Sequence, residues 1–271
     1  MMAIGKSKLT SDTVYILKKI TNRSLRWQNE KSKVFITVIA MVVLLLFFFT
    51  QGAIVMMTNM EGLKSILVRA TVIWLLVIAT IVFYLKRNRD LSILGFCKPM
   101  AKSSKRVFFY IPLIVIAISH FMCGIDTNKG ASFIFANLIF TLAIGFAEEI
   151  YFRGIICRIW IDESVKKAVV VSSTLFAICH LMNVMGGAGI TETILQICFA
   201  FLYGIVISFV FIIGKSIWSC IAVHTLHDFC SFISIDGSSQ MNVILGVIQF
   251  VILLCYAIYL SKQLPYDNQD V

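Results

Sequence analysis

Charge is scarce in this chain. Only 14% of its 271 residues are charged and 59% are hydrophobic, whereas a soluble domain carries charge on roughly a quarter of its residues. That shortage excludes an ordinary soluble domain and points to an integral membrane protein. A hydrocarbon layer of about 30 Å takes about 20 apolar residues of helix, so this length holds several spans and no separate catalytic domain outside the bilayer. The eight cysteines, Cys97, Cys123, Cys157, Cys179, Cys198, Cys220, Cys230 and Cys255, show no repeated CxxC spacing. Their scatter excludes a disulfide framework and a zinc ribbon. Residues 1–33 lack the short apolar core and small-residue site of a cleavable signal, so the first apolar run is expected to stay as a transmembrane helix.

What is present is apolar sequence in long runs. Eight candidate spans can be read: Val34 to Thr58, Ile66 to Leu85, Val107 to Ile125, Ala131 to Trp160, Ala168 to Gly189, Thr193 to Gly214, Ser216 to Ile235 and Met241 to Leu260. The expected fold class is all-α, a polytopic helical bundle of about eight transmembrane helices. The chain divides into a basic N-terminal cytoplasmic or interfacial segment 1–33, N-terminal transmembrane helices 34–130, a core 131–260 holding the chemistry, and a short tail 261–271. A net charge of +10 would raise nucleic-acid binding in a soluble protein. Here the 24 basic residues divide 21 and 3 between alternate segments when Arg69, Arg153 and Arg158, which lie within spans, are counted with the neighbouring segment. This is the signature of loop orientation and places both termini in the cytoplasm. The bilayer is therefore the expected partner, and nucleic acid is not.

The polar residues inside the spans carry the functional signal. A charge near the bilayer centre costs about 2.5 to 3.5 kcal/mol on insertion scales, yet one run holds Glu148, Glu149 and Arg153. Glu149 and Arg153 are four apart, acid first, and can pair on one helical face. Glu148 points about 100° away, and the sequence offers it no obvious partner. It is suited to general acid or base work. Span five adds His180 and span seven adds His224, His227 and Asp228. At about 1.5 Å per residue from the cytoplasmic ends, Glu148 lies at about 20 Å, His180 at about 18 Å, and His224 and Asp228 at about 12 to 18 Å. Residues at one level can converge inside the bundle.

Glu148-Glu-Ile-Tyr-Phe-Arg153 has the form EExxxR, Phe176 to His180 the form FxxxH, and His224 to Asp228 the form HxxxN/D. In these three motifs, in this order, the chain resembles the CPBP family of intramembrane proteases. This is the CAAX protease and bacteriocin-processing or Abi family, which includes the CAAX prenyl endopeptidases. The resemblance covers about residues 131–235. It implies an endopeptidase in which Glu148 and His180 activate water, His224 and residue 228 assist at the oxyanion, and Arg153 orients the glutamates. The prenyl endopeptidases have Asn where this chain has Asp228. An ionised Asp cannot donate to an oxyanion, so Asp228 is protonated, orients His224 or helps hold a metal. Glu148, His180 and His224 would be credible Zn²⁺ ligands, but there is no HExxH, and a metal-free glutamate mechanism is equally compatible with these residues.

Other readings are weaker. Cys179 beside His180 points about 100° away and forms no thiol–imidazole pair. No Ser sits in a Gly-rich elbow, and Gly186 to Gly189 lacks the GK[ST] of a phosphate loop and reads as a helix break. His227 reads as a supporting or structural residue and His120 as interfacial. The expected function is hydrolysis of membrane-associated peptides or proteins. Within the family's bacterial branch this means peptide processing, bacteriocin maturation or self-immunity, and an Ile- and Lys-rich composition with compact loops points to a bacterial cell membrane. The alternative is a non-enzymatic membrane protein, either a proton-coupled transporter or an immunity or scaffold factor. The lack of an internal hydropathy repeat argues against transport.

Overall fold

The computed structural model describes residues 30–99, 110–127, 130–185, 187–235 and 237–264. Most of the basic N-terminal segment, the start of the third apolar run and residues 265–271 of the tail lie outside them. All eight apolar runs contain helix: α1 (Glu30–Met57), α2 (Gly62–Asn88), α3 (Ile111–Ser119), α4 (Gly130–Trp160), α5 (Val165–Cys179), α6 (Ile190–Gly214), α7 (Trp218–Ile233) and α8 (Ser239–Ser261). The protein is thus a polytopic helical bundle. Among the described residues six apolar helices are long enough to cross a membrane: α1, α2, α4, α5 with its C-terminal extension to Val184, α6 and α8. The sixteen residues of α7 rise about 24 Å, short of a full hydrocarbon layer.

α4 and α6 form the centre: α4 packs on α2 and α7, α6 packs on α5 and α8, and α7 packs on α3. In lipid, helices associate by close packing rather than by escape from water, and small residues at the contacts permit it. Ala143 and Ala147 of α4 are fully buried. A Cβ on Gly145 would stand 2.5 Å from Thr225 Oγ1 of α7, and one on Gly204 of α6 would stand 3.1 Å from Ser173 Cα of α5. These two glycines bring α7 against α4 and α5 against α6. Outward faces carry large apolar side chains such as Phe35, Val42, Ile78 and Val247, as lipid contact requires.

Two local departures from regular helix matter for the site. α4 is α-helical over Gly130–Glu149, π-helical over Ile150–Cys157, and α-helical again over Arg158–Trp160. Ser172 Oγ of α5 donates to the Phe152 carbonyl in the π stretch at 2.8 Å. α5 stops at Cys179 with His180 as its C-cap, followed by a single turn at Met182–Met185. The fifth apolar run is therefore not one unbroken helix to Gly189, and His180 sits where the winding ends.

Candidate active site

Glu148 and Glu149 are the last α-helical residues before the π stretch, and Arg153 lies inside it. The wider winding is an uncommon feature that recurs at functional sites. Arg153 Nη1 donates to Glu149 Oε1 at 3.2 Å and Arg153 Nη2 to the Gly204 carbonyl at 3.3 Å. The guanidinium also lies 4.8 Å from the Phe176 ring centroid, close enough for a cation–π contact. Both members of the Glu149–Arg153 pair have no exposed side-chain surface. A buried pair of this kind is held by geometry and further hydrogen bonds, and loses its support when one partner is removed.

His224 of α7 joins the two glutamates. Its Nδ1 lies 2.6 Å from Glu149 Oε1, and its Nε2 lies 3.5 Å from Glu148 Oε2 and 3.6 Å from Asp228 Oδ2. A carboxylate oxygen only accepts, so this ring is placed to donate from both nitrogens. Glu148, unpartnered in the sequence reading, therefore has His224 as its partner. Exposure separates the acids: Glu149 is sealed, while Glu148 keeps 14% and Asp228 20% of its side chain open. The sealed acid fixes the histidine, and the open acids face the approach to it.

His180 stands apart from these direct contacts. Its Nδ1 lies 3.0 Å from the Phe176 carbonyl, which leaves Nε2 free of any hydrogen bond among the described residues. It shares the Phe176 ring with His224: the ring centroids are 5.1 Å from His180 and 5.8 Å from His224, both edge-on. The structure thus joins Glu148, Glu149, Arg153, His224 and Asp228 directly and places His180 across one aromatic ring. Phe176 was visible as the first residue of FxxxH. Tyr203 of α6, whose ring lies 5.8 Å from His224 and 5.3 Å from His227, had no signal beyond being apolar in an apolar run. His120 is not merely interfacial: its Nε2 lies 3.3 Å from His227 Nε2.

A metal was an open possibility at this cluster. Among the described residues no group of three or more His, Cys, Asp or Glu side chains is arranged to hold one. The donor chemistry agrees, because both nitrogens of His224 face carboxylates and the His180 ring makes no direct contact with Glu148 or His224, sharing only the Phe176 ring with His224. Glu148, His180 and His224 do not fit as a ligand set in this arrangement. All eight cysteines are free thiols.

The cluster sets two kinds of group in one small volume. A carboxylate with partial access can take a proton from water, and an N–H-bearing ring beside it can stabilise a developing negative charge. Residues 130–230, which contain all of these side chains except His120, match the family model described as type II CAAX prenyl endopeptidase Rce1-like. No curated protein and no solved structure matches.

Proposed function

With residues 130–230 matching the Rce1-like CAAX endopeptidase model, we propose that this integral membrane protein is an intramembrane endopeptidase of the CAAX protease family that hydrolyses membrane-associated peptides at the Glu148–His224 cluster. The observation that carries the reading is the convergence of Glu148 and Asp228, both partly open, on the one nitrogen of His224 that the sealed Glu149 does not hold. Glu148, assisted by His180 from across the Phe176 ring, accepts a proton from water, and the resulting hydroxide attacks the scissile carbonyl carbon. An N–H of His224 stabilises the oxyanion. Glu148 then returns the proton to the departing amide nitrogen as the C–N bond breaks, giving a carboxylic acid and an amine. Of the three roles open to Asp228, orienting His224 suits its position best. Glu149 and Arg153 hold His224 in place and need not meet the substrate.

The donor arrangement supports a reaction independent of metal. The 21-to-3 division of basic residues supports cytoplasmic termini, and the composition supports a bacterial membrane with small peptides or their precursors as substrates. The test is cleavage of a panel of membrane-associated peptides by the purified protein, read by mass spectrometry with and without chelator. The parent should cleave in both conditions, while Glu148→Ala and His180→Ala should be folded and inactive. Full activity in either variant would overturn the assignment, and loss of activity with chelator would overturn the metal-free mechanism. A folded parent inert to the whole panel would favour a proton-coupled transporter or an immunity or scaffold factor.

A further inference from the structure

Two of the four histidines of the chain, His120 and His227, belong to none of the three motifs, yet they continue the polar cluster. His120 Nε2 and His227 Nε2 are 3.3 Å apart, with the rings nearly perpendicular at 79°. His227 Nδ1 lies 3.4 Å from Asp228 Oδ1, and the other oxygen of Asp228 faces His224. An unbroken line of polar contacts therefore runs His120, His227, Asp228, His224, Glu149, Arg153.

The position of His120 is fixed from three sides. It opens the 3-10 turn His120–Cys123 at the end of α3. Beyond this turn Gly124, at a φ of 100° that suits glycine, leads into a small clasp. There Asp126 N donates to the Ile233 carbonyl at 2.9 Å and Ile235 N to the Gly124 carbonyl at 3.0 Å, tying the end of α3 to the end of α7. Gln249 of α8 donates to Ser119 Oγ at 2.8 Å. His227 is held by Phe199, stacked at 22° with centroids 5.6 Å apart, and by the Tyr203 ring. Two imidazoles held nitrogen to nitrogen can bond only if one donates and the other accepts.

We propose that His120 is a positioning residue for the hydrolytic site: its Nε2–H donates to His227 Nε2, fixing the tautomer in which His227 Nδ1–H donates to Asp228 and so setting the carboxylate that faces His224. The direction follows from Asp228 acting as an acceptor, because a singly protonated His227 that donates from Nδ1 keeps its lone pair on Nε2. The catalytic part of this assignment rests on the protease reading; the tautomer part does not.

The two parts are tested separately on the full-length protein in detergent. With histidine ¹⁵N-labelled, two rings should show the Nδ1–H tautomer, His180 through its contact with the Phe176 carbonyl and His227, and the one that disappears in His227→Phe is that of His227. In His120→Phe that ring should lose its tautomer preference while the His180 and His224 signals stay in place, and His120→Gln, whose amide can donate, should restore it. An Nε2–H tautomer for His227, or a spectrum indifferent to His120→Phe, would overturn the proposal. In peptide cleavage, kcat of His120→Phe should fall about tenfold, the worth of one hydrogen bond. KM should be unchanged, His120→Gln should recover the rate, and no further loss should appear in an Asp228→Asn background. Full kcat in His120→Phe would remove its part in the reaction. A parent that cleaves nothing would instead count against the protease reading, with the tautomer result still deciding the arrangement of the histidines.

Discussion

The molecule holds two clusters of opposite charges that look alike as contacts and differ in surroundings. At the end of the bundle where α1 begins and α4 meets α5, Lys33 Nζ lies 2.8 Å from Glu163 Oε1, and Lys167 Nζ lies 3.0 Å from Glu30 and 2.5 Å from Glu163. Lys167 also rests over the Trp160 ring at 4.4 Å. In the middle of the bundle Arg153, Glu149 and His224 make contacts of similar length. The outer cluster is open to solvent at Lys167 and Glu30, with 38% and 69% of those side chains exposed, while Lys33 keeps only 8%, so water can replace Lys167 or Glu30 when either leaves. The inner one is sealed, and nothing replaces a lost partner. Contact distance is thus a poor guide to what a charge pair contributes. Its access to water is the better one.

The sharpest way to test this contrast is to remove one inner charge. Arg153→Ala leaves Glu149 buried beside His224 without its cation, and should destabilise the fold by about 3 to 5 kcal/mol, read as a fall in unfolding midpoint in detergent. Replacing both partners, as in Glu149→Leu with Arg153→Met, should return part of that stability, since the two charges leave together while the buried His224 Nδ1 loses its acceptor. Cleavage should stay absent, because His224 has lost the oxygen that holds its Nδ1. A double variant less stable than Arg153→Ala would show that the pair matters for more than mutual compensation.

A smaller effect is expected where α4 and α7 touch. In Gly145→Ala the new methyl would meet Thr225 Oγ1, with the Ile221 carbonyl 3.4 Å from the same Cβ. The helices must part slightly, which typically costs about 1 to 3 kcal/mol, and His224 should move from Glu148 with them. Adding Thr225→Ala removes the nearest atom and should recover both stability and cleavage in part. Strict additivity of the two changes would mean that the close approach does not place the histidine.

How much of this was legible beforehand follows the same division between outside and inside. All eight apolar runs contain helix because hydropathy over some twenty residues is a strong signal, but the signal did not show that α3 and α7 stop short of a full span. The i,i+4 spacing foresaw the Glu149–Arg153 pair, and depth counting brought His224 to the level of Glu148. The unread features are contacts between side chains far apart in the chain. Nothing in Ile150–Cys157 announces π winding. Nothing marks Gly145 and Gly204 as contact points rather than ordinary glycines of membrane helices. His120 stands 107 residues from His227, and only the clasp between the ends of α3 and α7 brings them together. The partner of Glu148 was missed for the same reason, since it comes from another helix.

The smallest expected effect lies in the outer cluster and completes the comparison. Hydrogen bonds from Lys167 first and Lys33 second hold the Glu163 carboxyl below its ordinary value. A carboxyl whose folded value is depressed adds stability above its unfolded value, and that contribution is lost as pH falls through the folded one. The loss should therefore appear only in acid, below the usual glutamate range near 4.3. Glu163 lies at the surface, so the change should be slight and should fade as salt rises and shortens the Debye length from about 10 Å at 0.1 M. Lys167→Ala should shift the unfolding midpoint little at low salt and hardly at all at 0.5 M, whereas the Arg153→Ala deficit should be the same at both. An Arg153→Ala deficit that salt erased would mean that solvent ions reach the inner cluster, and the distinction between a sealed pair and an open one would not hold.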